Sequence, residues 1–546
     1  MAWMANLTRR GFLAAGALGA ACGWRQGDAS LVQEAVGLAP SYWSTWGAQR
    51  YSLDPAQLDL VLKGEGLNSA AGQLTEDRLF GDKGWASAFE RVRQDLYLLL
   101  DLGWDTPRGA ALTEEPWLLG AHEVDPARFP SCQGSPTERL RRLNELCVQA
   151  GWRGAGLLVA AQPFGDGRNG RVLSNDEAAN QLRDRLRWSR DSGIGYWKVD
   201  YGRRSTPTYR QVISEMALEE APSLVIEHAR PLGPLNDEPV PGDATSGTRS
   251  GEYPRWAAGR VLQESLRLIE FSNVFRTGGV TGHLGLPTTL DRVASLLTAS
   301  EERINQPCLL NCEDEPYLAA VLACTLGLTR HSAWTDPQAR GYNPRELHRR
   351  LDEVTRAVRW QRMAPPFATG SGKVELDVER LVDSWTFRDG ETWLASVHGQ
   401  TVRQSSPARV TRNMPLPQVG GPSRPFVVAG MYPNDSVAVA TLPRVQADEG
   451  FSYPLADVTL TLEALRPLVG IFGRYRSLTL RTPALGKAPR LMAQDLAGDE
   501  PVDITPRVMV TATEVVIPGD VIHEVGLMAA RKGDISDPGM VLRLAL

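Results

Sequence analysis

Short apolar runs alternate with segments of helical period through the first two thirds of the chain. Residues 43–47 read as a first strand, and residues 96–101 form a continuous apolar run behind a helically periodic segment at 85–94. In 136–150, Leu140, Leu143 and Cys147 recur on one helical face. Strands are expected at 156–161, 196–200, 223–227, 271–275 and 308–311, with helices at 176–192, 263–269, 290–299 and 317–326. This alternation predicts an α/β fold, a (β/α)8 TIM barrel, with a doubly wound open sheet as the competing architecture.

After Pro365 and Pro366 the pattern changes. The apolar runs at 374–378, 384–387, 393–397, 437–440, 458–462, 478–480, 508–511 and 515–517 are short and often alternate with polar positions. Gly, Pro, Asp and Asn separate them, which reads as a C-terminal all-β sandwich region of one or two domains. The expected division is a signal segment at 1–30, a barrel at 31–365 and the sandwich at 366–546. Ala368-Thr369-Gly370-Ser371-Gly372-Lys373 superficially resembles a phosphate loop, but Val374 stands where Ser or Thr belongs, so it reads as a turn.

A length of 546 residues asks for more than one domain. The 42% hydrophobic and 23% charged fractions are those of a soluble globular protein, and the net charge of −5 argues against a nucleic-acid partner. Thr8-Arg9-Arg10-Gly11-Phe12-Leu13 ahead of a mild apolar run resembles a twin-arginine signal, which places the protein in the periplasm or outside the cell. That run is too short for a permanent span, and no other stretch looks transmembrane. Cys22 is a candidate lipid-attachment cysteine. Five further cysteines, an odd number, suggest buried thiols rather than a disulfide framework. No zinc-type Cys/His spacing occurs and no cofactor motif follows a strand, so neither metal nor cofactor is expected.

Candidate chemistry centres on 192–204. A buried strand there delivers Lys198 and Asp200, two residues apart and therefore on one side of the strand. Such a pair is costly to bury without a purpose, and the C-terminal ends of barrel strands are where reacting groups gather. A structural ion pair is the alternative.

Four stretches in order resemble clan D glycoside hydrolases, the α-galactosidase families twenty-seven and thirty-six. They are Tyr42-Trp43-Ser44-Thr45-Trp46, the run from Leu98 to Asp105, the run from Asp125 to Ser131, and Tyr196-Trp197-Lys198-Val199-Asp200-Tyr201. The resemblance covers about residues 40 to 335 and implies a retaining α-glycosidase with a carbohydrate substrate. One carboxylate would attack the anomeric carbon while a second carboxyl protonates the leaving oxygen. It implies Asp200 as nucleophile, Lys198 and Asp101 as ligands of sugar hydroxyls, and Trp46 or Trp104 as a hydrophobic wall. Arg276 matches the segment after the sixth strand.

The departures matter as much. Leu102 replaces the family's second aspartate, which speaks against ordinary α-galactose. The family's acid/base position falls near Val280, and residues 276–286 contain no Asp or Glu; His283 is the other titratable group there. Glu227 is the first candidate for acid/base, expected at the mouth after the fifth strand, with a salt bridge to Arg230 or a substrate-binding role as alternatives. Glu313, Asp314, Glu315, Asp237, Glu238 and Asp243 are the others. A second reading is a sugar-binding protein on a catalytically impaired barrel. A third, a nucleotide-cofactor enzyme, lacks the glycine fingerprint.

Overall fold

The apolar runs of the first two thirds are short and flanked by turn residues, and they pair as parallel strands. The computed structural model describes residues 30–52, 67–229, 260–278, 283–303, 305–330, 349–386, 399, 401–445, 450–485 and 489–545. The twin-arginine stretch, Cys22 and the apolar run at 393–397 lie outside these residues.

The strands are β1 (Ser41–Ser44), β2 (Leu96–Leu100), β3 (Gly154–Val159), β4 (Tyr196–Val199), β5 (Val225–Ala229), β6 (Val274–Arg276), β7 (Leu309–Asn311) and β8 (Gly327–Leu328). Each pairs in parallel with its sequence neighbour from β1 to β7, and β8 lies on the other side of β1. A parallel bridge between Asn311 and Thr325 joins β7 to the approach to β8. There Cys312 N–H donates to Thr325 O (3.0 Å) and Thr325 N–H donates to Leu310 O (2.8 Å). The Asn311 side chain also accepts from Gly327 N–H at 2.7 Å, so the sheet closes into a barrel and the open-sheet alternative falls.

Helices α1 (Pro136–Gln149), α2 (Asn175–Ser192), α3 (Pro207–Glu220), α4 (Arg260–Ile269), α5 (Gly285–Ser300), α6 (Pro316–Val321) and α7 (Leu351–Met363) lie along the outside. Their starts are written locally. Ser135 with Glu138, and Ser174 with Glu177, form reciprocal capping boxes at α1 and α2. Gly193 ends α2 in the left-handed conformation (φ 76°) and turns the chain into β4. Just past β4, Gly202 lies against the Ala161 backbone so closely that a Cβ would sit 2.6 Å from its carbonyl carbon.

Two expected helices come out differently. Residues 85–94 form only 3-10 turns around Phe89, whose φ is 54°. The helix expected at 317–326 stops at Val321, and Ala323, at φ 54°, redirects the chain into β8. That stretch is apolar throughout, so its period could not separate a buried helix from a buried strand.

The C-terminal strands form an eight-stranded sheet, which includes the strands Phe426–Met431 and Val437–Leu442, and a facing five-stranded sheet. Alternation along Phe426–Met431 explains its burial on both faces from Phe426 to Gly430. Val427 and Ala429 pack between the two sheets, whereas Phe426 and Val428 join the core that continues into the barrel. A separate hairpin, β9 (Arg380–Thr386) with β10 (Thr401–Pro407), packs on α5. Residues 368–373 form the expected turn, with Gly370 and Gly372 at positive φ. The cysteines at 132, 147, 308, 312 and 324 are buried and unbridged. No helix among the described residues is long and apolar enough to cross a membrane.

Candidate active site

Inward positions on the barrel strands recur every second residue. On β4 these are Tyr196 and Lys198, with Asp200 next beyond the strand; on β1 they are Tyr42 and Ser44. Asp101 follows β2, Arg276 ends β6 and Glu313 follows β7, so four strand ends supply one charged cluster at the C-terminal rim.

Lys198 Nζ lies 3.5 Å from Asp101 Oδ2 and 3.8 Å from Asp200 Oδ2. Ser44 donates its hydroxyl to Asp101 Oδ2 (2.9 Å), and the Asp101 backbone N–H donates to Thr45 Oγ1 (2.9 Å). Arg276 spans two carboxylates: Nη2 is 3.7 Å from Asp200 Oδ2 and Nη1 is 3.2 Å from Glu313 Oε2. All five charged groups are buried or nearly so. Burial works against the Lys198 ammonium, but Asp101, Glu313 and Asp200 outweigh it and hold its proton more tightly than usual. The same competition, with Glu313 and Asp200 prevailing, strengthens the charge of Arg276. Burial raises the Glu313 carboxyl above the usual range, against the pull of Arg276 and Lys198, with Asp314 and Glu227 adding to the rise.

Glu227 is not at the mouth. β5 runs on to Ala229, and the carboxylate of Glu227 lies inside the barrel, fully buried. Tyr42 donates to its Oε1 (3.1 Å), while Tyr196 (2.9 Å) and Asn311 Nδ2 (2.6 Å) donate to its Oε2. Burial and then the Glu227 charge push both tyrosine hydroxyls well above their ordinary pKa, so they remain donors. The expected position fails because the apolar run stops at residue 227 whereas the strand goes on to Ala229, one inward position nearer the rim.

Trp104 is also corrected. It is fully buried, its indole N–H donates to Leu158 O at 2.8 Å, and its ring leans on His122. Its size and polar handle are spent in the core, which leaves no face for a sugar. Trp46 is half-buried instead. With Tyr201, it packs on a small apolar cluster containing Leu102, Leu112, Leu119 and Ala160, separate from the main core and beside Asp101.

His283 stacks on Trp385 of β9, with ring centroids 3.4 Å apart. Asp314 and Glu315 follow Glu313 and turn away into α6 and the end of β8. Asp237, Glu238, Asp243 and Val280 lie outside the described residues. Reasoning from sequence missed the cradle of Tyr42, Tyr196 and Asn311. The signal for two of them was present: each tyrosine precedes a polar inward residue by two, and so shares its row.

No protein-family model matches the chain, and no curated protein matches it. Among solved structures it is similar to an Anoxybacillus α-amylase at 11% identity and a TM-score of 0.36, covering 93% of this chain and 98% of that one. It is similar to the type I pullulanase of Bacillus subtilis at 9% identity and a TM-score of 0.39, covering 96% and 72%. An α-amylase from Geobacillus thermoleovorans matches at 10% identity and a TM-score of 0.35, covering 94% and 100%.

Proposed function

We propose that this chain is a retaining glycoside hydrolase of clan D type acting on an α-linked sugar, with Asp200 as nucleophile and Glu313 as acid/base. The observation that carries this reading is the sharing of one guanidinium by two carboxyls in different settings. Asp200 lies within ion-pair distance of both Lys198 and Arg276. Glu313 pairs with Arg276 alone among these cations and holds its proton more firmly than a solvent carboxyl. Two titratable groups with diverging environments are what an acid and a nucleophile require.

In the first step an Asp200 oxygen attacks the anomeric carbon, and the bond to the leaving oxygen breaks as Glu313 gives that oxygen its proton. In the second, Glu313 takes a proton from water as the water oxygen attacks the same carbon and releases Asp200. Two inversions retain configuration. Asp101 and Lys198 stand where sugar hydroxyls would be bound, and Trp46 offers the apolar face that stacks on a ring. The stretch from Thr8 to Leu13 supports export by the twin-arginine route, which changing Arg9 and Arg10 to lysine should block.

An activated fluorosugar of matching configuration tests the reading. Mass spectrometry of the digested protein should find the sugar esterified to Asp200, and Asp200→Ala should trap none. A parent protein that turns over no activated glycoside, while Asp200→Ala binds sugar as the parent does, would replace the hydrolase with a carbohydrate-binding protein.

A further inference from the structure

We infer that Asp314 is the positioning residue for the proposed acid, locking the turn after β7 so that Glu313 faces Arg276. The inference rests on the reading of Glu313 given above and concerns a residue that touches no substrate. Asp314 is a non-glycine residue in the left-handed region, with φ at 56°. That conformation is uncommon, and near a reacting group it persists only where the surroundings over-determine it.

Here they do. The Asp314 backbone N–H donates to Gly327 O at 2.8 Å. Its Oδ1 accepts from the backbone N–H of Thr329 (2.9 Å) and of Arg330 (3.4 Å), and its Oδ2 accepts from the Thr329 hydroxyl. Its carbonyl accepts from the Arg330 guanidinium, whose Nε lies 3.6 Å from Oδ1. Arg330 is fixed in turn by Arg350 O (3.1 Å) and Glu353 Oε2 (3.3 Å). Asp314 is 1% exposed, so these bonds are sheltered from water. The reversal of backbone direction at 314 sends its own side chain to the end of β8, while that of Glu313 meets Arg276 on β6.

Asp314 also brings a negative charge beside Glu313. The charged and titratable groups around Glu313 are Arg276 on β6, Lys198 on β4, Glu227 on β5, Tyr42 on β1 and Asp314 on its own turn. Removing the Asp314 charge leaves the two cations less opposed, so Glu313 should release its proton at lower pH.

The test combines a titration with leaving-group kinetics on the full chain. Isotopically labelled glutamate carboxyls are followed by NMR, with Glu313 identified by its loss in Glu313→Gln. Asp314→Asn tolerates the left-handed backbone and keeps an acceptor oxygen; it should lower the Glu313 midpoint. Asp314→Gly relaxes the backbone and removes the anchor. It should slow glycosides with basic leaving groups about tenfold or more while leaving dinitrophenyl glycosides within about twofold, because only the former need the proton. An unmoved midpoint, or equal loss on both leaving groups, overturns the inference. If no glycoside is turned over but the midpoint moves in Asp314→Asn, the hydrolase reading fails and the coupling of Asp314 to Glu313 stands. Should the Asp314 variants fail to fold, Thr329→Val removes one donor to Asp314 and touches no reacting group. It should show the same leaving-group dependence at smaller size, and its absence there overturns the inference.

Discussion

Lys198 and Glu227 are register partners on neighbouring strands, yet their side chains end in separate networks. Lys198 reaches the rim carboxylates Asp101 and Asp200, whereas Glu227 is held by Tyr42, Tyr196 and Asn311 inside the barrel. Strands in a barrel tilt against its axis, so a row of register partners descends as it passes from strand to strand.

Glu227 is therefore expected to matter for the fold. Glu227→Ala leaves the buried Tyr42 and Tyr196 hydroxyls without their acceptor, while Asn311 Nδ2 keeps Tyr42 Oη at 3.2 Å, and each such loss costs about 1–3 kcal/mol. Thermal or denaturant unfolding should show a large loss of stability. The ratio of activity on basic and dinitrophenyl leaving groups should be unchanged in the milder Glu227→Gln; a selective loss on basic leaving groups would return Glu227 to the role of acid.

Glu313→Gln should do what Glu227→Gln does not. Loss of a general acid removes about a hundredfold to ten-thousandfold, and here the loss should fall on basic leaving groups and spare dinitrophenyl glycosides. The sign with pH follows from the raised carboxyl of Glu313. The acid must be protonated, so the parent's activity on basic leaving groups should fall as pH rises through the Glu313 midpoint, and that limb should vanish in the variant. A pH–rate profile for kcat/KM checks both.

Burial pushes Asp105 up to about 6, against the hydrogen bond it accepts from the His122 N–H. An acid whose folded value lies above its unfolded value contributes most below the unfolded one, and that contribution is lost as pH rises through the folded one. Stability should decline between about pH 4 and pH 6 by about 3 kcal/mol at most. Asp105→Asn should flatten this slope in denaturant titrations at successive pH values; an unchanged slope removes Asp105 as its source.

Leu102 is buried in the apolar cluster beside Asp101 and supplies no acceptor to a sugar hydroxyl. Losing a polar partner costs about 1–3 kcal/mol, or up to about a hundredfold. Turnover of p-nitrophenyl α-galactoside should accordingly be poor beside that of the preferred glycoside in a panel of aryl sugars. A rate on the galactoside matching the best of the panel would contradict this.

Much of the architecture was legible in the chain. The strand that carries Lys198 and delivers Asp200 just past its end runs from Tyr196 to Val199, inside the expected 196–200, and helices α1 and α2 lie within a residue of where the helical period predicts them. Local chemistry sets those boundaries. The eighth strand was not legible, because its pairing with β1 lies far away in sequence and its own residues are uniformly apolar. The cluster of Asp101, Lys198, Asp200 and Arg276 followed from strand ends together with the family resemblance. The depth of Glu227 needed the full extent of β5 and the tilt of the barrel, which no local pattern encodes. The burial of Trp104 is not legible because a tryptophan at a motif position reads the same whether its indole meets a sugar or the Leu158 carbonyl.

Helix α7 sets a limit on how the chain can be divided. Arg356 makes a two-point contact with Asp495, at 2.9 and 3.0 Å, on the eight-stranded sheet. Arg359 donates to Gly498 O at 2.7 Å, and Arg362 grips Asp95 just before β2 at 2.7 and 3.0 Å. Between them Trp360 donates to Tyr432 and packs edge-on against Phe472. A fragment ending after Pro366 would keep this helix but strip away Asp495, Tyr432 and Phe472. It would present a bare tryptophan and two stranded guanidinium groups to water, a sticky surface on a barrel that needs its neighbour as a lid for its own seam.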